Sequence, residues 1–359
     1  MAIVATMKRF RLIPTHSKMT RLTWVIVLAL AALNAARSGD AQNTPLISGG
    51  VAFLTNTTSG KTDYQPFVEP VIAAPLGSHL LVESRATVFD TFSPKASGGY
   101  QRNSLFKTVD YLQADVLLGP HLTFVAGEFL TPFGTYNERL TQIWIANFQD
   151  TPLIYSAGTM NTGSGVGGML RGSAVSTQNY SISYAAYYSA NVNNNYFGAE
   201  RSSGGQSAIY FPKKGLEVGA SYGRSLAGTH ENTFGTHLWW EPVNSPFRFR
   251  SEYVHATHDE GYWFETDYRL SHFGGNDSLL GRLEPIFRMQ QTFRGGPDST
   301  NFLPTNNQQE PEFGVNYYLP HEVRVNSSYE RQLGNGNANI WETGIIYRFL
   351  FPTWKGKGK

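Results

Sequence analysis

Trp341-Glu342-Thr343-Gly344-Ile345-Ile346-Tyr347-Arg348-Phe349-Leu350-Phe351 is the stretch that decides the fold. Trp341, Thr343, Ile345, Tyr347, Phe349 and Phe351 fall on one face of an extended chain, and Glu342, Gly344, Ile346, Arg348 and Leu350 fall on the other. A period of two belongs to a strand whose faces meet different surroundings. The first face is rich in apolar and aromatic residues and suits hydrocarbon. The second carries charges of both signs and suits water or ion pairs.

The same alternation recurs upstream. Leu80, Val82, Ser84, Ala86 and Val88 oppose Glu83, Arg85 and Thr87, while Leu112, Ala114 and Val116 oppose Tyr111, Gln113 and Asp115. Phe247, Phe249, Ser251 and Tyr253 oppose Arg248, Arg250 and Glu252, and Tyr262, Phe264, Thr266 and Tyr268 oppose Glu265, Asp267 and Arg269. Leu283, Phe287, Met289 and Phe293 oppose Glu284, Arg288, Gln290 and Arg294. Val323, Val325 and Tyr329 oppose Arg324, Asn326, Ser328 and Glu330. A soluble sandwich also alternates, but it leaves its polar face in water and needs neither this many strands nor this much tyrosine. The pattern predicts an all-β fold, a transmembrane antiparallel β-barrel.

Strand centres fall near Ala52, Pro70, Ser84, Leu112, Val125, Gly168, Tyr184, Ala208, Gly219, Leu238, Ser251, Thr266, Arg288, Val315, Asn326 and Ile345, which makes about sixteen, with fourteen as the alternative count. Short turns are expected at Pro75 to Ser78, Gly119 to Pro120, Pro212 to Gly215, Pro242 to Pro246 and Leu319 to His321. Longer connections are expected at Thr57 to Gln65, Phe92 to Ser104, Thr131 to Ser164, Asn191 to Gly205 and Arg294 to Gln309. Short and long connections on opposite rims match the periplasmic turns and extracellular loops of outer-membrane barrels.

Composition agrees. The 359 residues include no cysteine, 19 Tyr and 23 Phe, and 16% are charged, against about 25% in ordinary soluble domains. Disulfides, thiolate metal sites and cysteine nucleophiles are excluded. A net charge of +2 gives no reason to expect a nucleic-acid partner. Lys8, Arg9, Arg11, Lys18 and Arg21 precede the apolar run Trp24 to Leu33 and the small residues Ala35, Ala36, Gly39 and Ala41, the order of a secretory signal peptide. The expected division is therefore 1–41 signal peptide, 42–351 barrel and 352–359 a short basic periplasmic tail containing Lys355, Lys357 and Lys359.

The third long connection, Thr131 to Ser164, places Leu140, Ile143, Trp144 and Phe148 at helical spacing within Asn137 to Phe148. A loop of this length with its own apolar face is expected to fold inward and narrow the lumen. An outward cap, or a contact with a neighbouring subunit, is the alternative. Glu138, Arg139 and Asp150 are the candidate charges at the constriction. Candidates to face the lumen are Arg85, Arg248, Arg250, Arg269, Arg288, Arg324, Arg348, Glu252, Glu265, Glu284 and Glu342. They serve either to set a transverse field or to pair with one another across the ladder.

Gly127-Glu128-Phe129-Leu130-Thr131-Pro132-Phe133-Gly134, then Asn137-Glu138-Arg139-Leu140, then Gly165-Val166-Gly167-Gly168-Met169-Leu170-Arg171-Gly172 resemble the phosphate-selective porin family. The resemblance is specific over about residues 125 to 172. It implies a sixteen-stranded outer-membrane barrel, a homotrimer, and lysines with an arginine ladder at the constriction. Here the third loop has no lysine, and its one basic residue is Arg139.

No catalytic, metal or cofactor site is assigned. Gly163 to Gly168 lacks the strand and helix of a nucleotide loop. His255, His258, Asp259 and Glu260 divide between a strand end and a loop tip, and Ser251 and His255 sit too far apart along one strand to pair. The expected function is a porin in the outer membrane of a Gram-negative bacterium, a water-filled channel for passive diffusion of small hydrophilic solutes or ions. Its partners are outer-membrane lipids and the barrel-assembly machinery. The alternative is a loop-plugged structural or adhesive barrel without significant conductance.

Overall fold

The structure, a computed structural model, describes residues 44–352 apart from 156–162, 192–200, 228–229, 296–306 and 335. The expected signal peptide and the tail beyond Pro352 lie outside the described residues. Sixteen antiparallel strands form a closed barrel in which each pairs with its sequence neighbours and β1 closes on β16. They are β1 (Leu46–Thr58), β2 (Lys61–Pro75), β3 (Leu80–Pro94), β4 (Tyr100–Gly119), β5 (Leu122–Leu130), β6 (Ser164–Ser176), β7 (Ser181–Asn191) and β8 (Ser202–Phe211). There follow β9 (Leu216–Ser225), β10 (Asn232–Trp240), β11 (Phe247–Ala256), β12 (Asp259–Tyr268), β13 (Leu283–Arg294), β14 (Gln308–Leu319), β15 (Val323–Arg331) and β16 (Asn339–Pro352). Each expected centre lies within its strand. Closure leaves no unpaired edge, so backbone groups are satisfied within the wall, as a lipid surrounding requires.

The alternation divides outside from inside as the final strand requires. On β16, Trp341, Ile345, Tyr347 and Phe351 are exposed, whereas Glu342 and Ile346 are buried. Val51, Phe53, Phe124, Leu170, Val218 and Phe313 continue the apolar exterior. Outward aromatic pairs stand towards both rims: Tyr64 with Tyr100 and Tyr329 with Trp341 at one, Trp240 with Phe247 at the other. Aromatic girdles flanking an apolar band mark the two interfaces of a membrane barrel.

Connections depart from the expected rhythm. The supposed long loop from Thr57 to Gln65 is a two-residue turn at Ser59 and Gly60, whose φ angles are 53° and 75°. Polar Thr57 and Thr62 belong to the ladder and join through their hydroxyls at 2.9 Å. Strands β3 and β4 likewise extend over most of the supposed loop between Phe92 and Ser104. Where strands rise beyond the apolar belt, nothing selects for apolar residues, so the alternation fades while the hydrogen bonds continue. In contrast, residues 269–282, at the rim that carries both termini, form a long connection with a 3-10 turn at Leu270–Phe273.

A bulge on β4 changes the inner set. Arg85 pairs with Tyr111 and Ala86 with Val109, leaving Asp110 as the extra residue. Beyond it the parity reverses, bringing Phe106 and Asp110 onto the inner face with Tyr111, Gln113 and Asp115. The polar inner face expected from the alternation is interrupted here. Phe67, Phe89 and Phe106 form a stacked inner ladder across β2, β3 and β4, with ring centroids 5.7 and 4.7 Å apart.

Candidate functional site

Between β5 and β6 the chain turns into the barrel, as expected for the third loop. Its helix α1 (Tyr136–Arg139) has one turn, which corrects the longer helix implied over Asn137 to Phe148. Leu140 packs with Phe133, Tyr136, Ile154, Tyr155, Val254 and Trp263, while Ile143 packs with Ala52, Leu54 and Ile346 on another part of the wall. The helix stops because wall side chains take over the partners of the loop backbone. Glu69 accepts from Ile143 N at 3.0 Å, and Arg324 Nη2 donates to the carbonyls of Ile143 (2.9 Å) and Ala146 (2.6 Å).

Glu252 on β11 anchors the first turn. Its carboxylate accepts from Thr135 N, Thr135 Oγ1 and Tyr136 N at 2.5, 2.5 and 2.9 Å, and from the Tyr155 hydroxyl. Charge at these otherwise unpartnered N–H groups makes stronger bonds than a neutral acceptor. Gly134, at φ 62°, leaves no room for a Cβ because the Tyr155 hydroxyl and the Glu252 carboxylate crowd the place it would occupy. Asn137 Nδ2 donates to Thr131 O and Gly163 O at 3.0 and 3.1 Å, tying the loop's two ends together. On the wall, a Cβ on Gly235 would come within 2.6 Å of Phe133, and one on Gly261 within 2.7 Å of Ile154. These inner-face glycines make room for the loop.

The charges found in the sequence fall into groups. Arg85 Nε lies 3.3 Å from Glu69 and 3.0 Å from Asp110, and its Nη1 reaches Thr141 of the loop at 2.9 Å. Arg250 pairs with Glu265 at 3.2 Å, and Glu265 with Asp267 accepts from Asn147 of the loop at 2.8 and 3.0 Å. Arg288 joins Asp150 at 2.5 Å and Glu312 at 2.7 Å. Arg248 spans Asp267 and Glu284. Arg324 staples the loop, as described. Arg269 stacks over Tyr318 at 4.4 Å, and Arg348 stands 4.0 Å from Glu322 at the terminal rim. Glu342 accepts from Asn56 at 3.0 Å.

Of the three loop candidates, Arg139 is 43% exposed, donates to Glu217 at 2.9 Å and stacks over Trp239. Burial pushes the Glu138 carboxyl above the ordinary carboxylate range, against the pull of Arg171 and Arg139. Asp150 is partly exposed beside Arg288. The loop does not bring these three together: Arg139 leans towards β9, and Asp150 towards β13 and β14.

Docked in this way, the loop packs against the wall from β9 through β16 to β1 and also bonds to Glu69 on β2 and Arg85 on β3. Towards β2 to β4 it leaves a cavity of about 420 Å³, walled by Phe67, Phe89, Phe106 and Leu54 with Arg85 and Asp110 on the barrel side, and by Tyr136, Asn137, Thr141, Ile143 and Asp150 on the loop side. A second space of about 390 Å³ opens at the terminal rim beside Trp144, Arg269, Arg324 and Arg348. Sequence reasoning missed Glu69, Asp110, Glu310, Glu312 and Phe106. Pro66 and Pro70 lie close to Glu69, and Pro311 separates Glu310 from Glu312, which obscures the inward and outward alternation within the strands expected there. Asp110 and Phe106 are concealed by the bulge.

Solved structures share this architecture. The chain superposes on Salmonella typhi OmpF, determined in complex with daunomycin, over 86% of its own length and 98% of that chain, with a TM-score of 0.60 and 13% identity. An anion-selective porin from Comamonas acidovorans matches over 85% and 99% of the two chains, with a TM-score of 0.52 and 10% identity. OmpT of Vibrio cholerae, as a mutant lacking loop L8, matches over 86% and 100%, with a TM-score of 0.52 and 12% identity. At these identities the likeness is one of fold, that of outer-membrane porins. No protein-family model and no curated protein matches the chain, so the resemblance to the phosphate-selective family gains no support beyond the general porin fold.

Proposed function

We propose that this barrel is a channel of the bacterial outer membrane through which small hydrophilic solutes or ions diffuse passively, exported by its 1–41 signal and inserted by the barrel-assembly machinery. The observation that carries the reading is the eccentric space of about 420 Å³ between the inward loop and the β2 to β4 wall. Porins narrow a wide lumen with inward structure, and selectivity follows from the groups at the narrowing. Here a solute meets an aromatic strip on one side, with Arg85, Asp110, Asn137 and Thr141 as polar groups around it. The short tight turns face the medium in part and the termini face the periplasm. A homotrimer belongs to the same proposal, as does an influence on ion selectivity of the separate loop charges Glu138, Arg139 and Asp150, of which Asp150 lines the cavity.

Planar-bilayer conductance with reversal potential, alongside liposome swelling with sugars of graded size, tests the channel reading. Small discrete conductance steps are expected. Deleting Asn137 to Phe148 should enlarge them and admit larger sugars, since the wall closes without the loop. The second reading, a plugged structural barrel, is favoured by the dry packing of Phe133, Tyr136, Leu140 and Tyr155 against Trp263 and by the engagement of the wall arginines in ion pairs. Absence of conductance from the native chain together with conductance from the loop deletion would establish it.

A further inference from the structure

Five carboxylates converge where the loop meets β14, β15 and β16. Oxygens of Asp150, Glu312 and Glu342 lie within 4.8 Å of one another, and so do oxygens of Asp150, Glu310 and Glu330. Asp150 is partly open to the cavity, and the four glutamates are buried. Arg288 supplies one guanidinium, to Asp150 and Glu312. Glu310 takes amide hydrogens from Gln290 at 2.9 Å and Gln332 at 3.2 Å, and from Gln308. These partners leave the group strongly negative, and packing carboxylates without a counter-charge is costly.

The unmet polar atoms lie within one part of the group. Glu312 Oε1 and Glu342 Oε2 are buried without a partner. Independently of the acids, the Ser328 hydroxyl is also unpartnered, on a side chain 2% exposed. Ser328 is opposite Glu342 in the β15 to β16 ladder and opposite Gly314 in the β14 to β15 ladder. It occupies the inner-face position between Asn326 and Glu330, directly across the ladder from Glu342, where opposed Cβ atoms stand about 4.5 to 5.5 Å apart.

We propose that Asp150, Glu312 and Glu342, with the Ser328 hydroxyl, hold a calcium ion that fastens the third loop to the barrel wall. An all-oxygen set with no nitrogen or sulfur selects a hard cation. Calcium lies about 2.3 to 2.6 Å from its ligand oxygens, so oxygens on opposite sides of it stand roughly 4.6 to 5.2 Å apart. The oxygens of the three carboxylates all lie within 4.8 Å of one another, inside that span, and calcium's flexible coordination suits side chains already fixed by the barrel ladder better than magnesium, which demands near-ideal octahedral bonds near 2.1 Å. Glu310 and Glu330 deepen the negative potential around the ion, and Asp150 gives it a way in from the cavity. The ion would hold the loop where hydrogen bonding of the Asp150 side chain to Arg288 alone leaves excess negative charge.

The test uses the full mature barrel, refolded in zwitterionic detergent without lipopolysaccharide and stripped with EDTA. Calorimetric titration with calcium alone should give one site per barrel, with magnesium binding at least about tenfold more weakly. Asp150→Asn and Glu342→Gln should each weaken calcium binding tenfold or more, while Glu322→Gln, exposed at the terminal rim, should leave it unchanged. Calcium should also raise the melting temperature of the native barrel and not that of Asp150→Asn. Absence of calcium binding to the native protein, or equal affinity in all four proteins, would overturn the site. If Glu342→Gln fails to fold, Asp150→Asn decides by itself, because its loop position leaves the wall intact. Conductance is not the readout, so the outcome does not depend on the channel reading.

Discussion

Glu252 shows how much one inner-face residue decides. A strand pattern identifies it as a charge on the inward side, yet only the folded chain shows that its carboxylate receives the first turn of the loop at Thr135 and Tyr136. Hydrogen bonds to a charged group contribute about 1.5 to 3 kcal/mol each, and removing the acceptor leaves buried donors unmet. Glu252→Ala should therefore release the loop at its entry while the barrel persists. The expected readout is larger and noisier single-channel conductance, with unchanged β-structure by circular dichroism. Arg85 and Arg324 were legible in the same limited sense: their inward direction follows from alternation, but their bonds to the loop do not.

At the scale of the element, the third loop combines anchored and exposed charges. Arg139 is the exposed one, paired with Glu217 at 2.9 Å. Arg139→Glu reverses its charge and should shift the reversal potential towards cations, an effect that fades at 1 M salt, where the Debye length is about 3 Å. Beside it, burial raises the Glu138 carboxyl above the usual range. As pH falls through that raised value the loop loses one negative charge, so selectivity should move towards anions at a pH above that of an ordinary glutamate. Glu138→Gln should abolish this step, and a native profile identical to the variant's would dismiss it. The loop's existence, length and inward course were readable from Thr131 to Ser164. Its one-turn helix was not, because Glu69, Arg324 and Asn326 compete for the backbone from strands that are distant in sequence.

For the whole molecule, the stability of the barrel rests on keeping its two faces distinct. Ile345 is exposed on the outer face and pairs with Phe53 and Val325 on the strands beside it. Ile345→Arg should cost about 2 to 4 kcal/mol at mid-membrane, measured by urea unfolding in lipid vesicles. Glu342→Gln, one residue away on the inner face and compared without calcium, should cost much less. Equal losses would contradict a lipid-facing exterior. The aromatic pairs near the two rims define the depth over which this penalty applies.

The sequence by itself determined a barrel of about sixteen strands, its inward and outward faces and the position of the long loop, and the closed ladder settled the count at sixteen. Those features depend on local periodicity and on the fixed demands of a hydrocarbon surrounding. Tertiary structure decided where the loop docks, which charges pair and where space remains. Closing the barrel joins β1 to β16 and brings Asp150 against glutamates more than 150 residues later in the chain. The bulge at Asp110 reverses strand parity, and Pro66, Pro70 and Pro311 obscure the alternation that would assign Glu69 and Glu312 to the inner face of the strands expected there. Pairing of this kind is a property of neighbouring strands, and no pattern within a single strand specifies it.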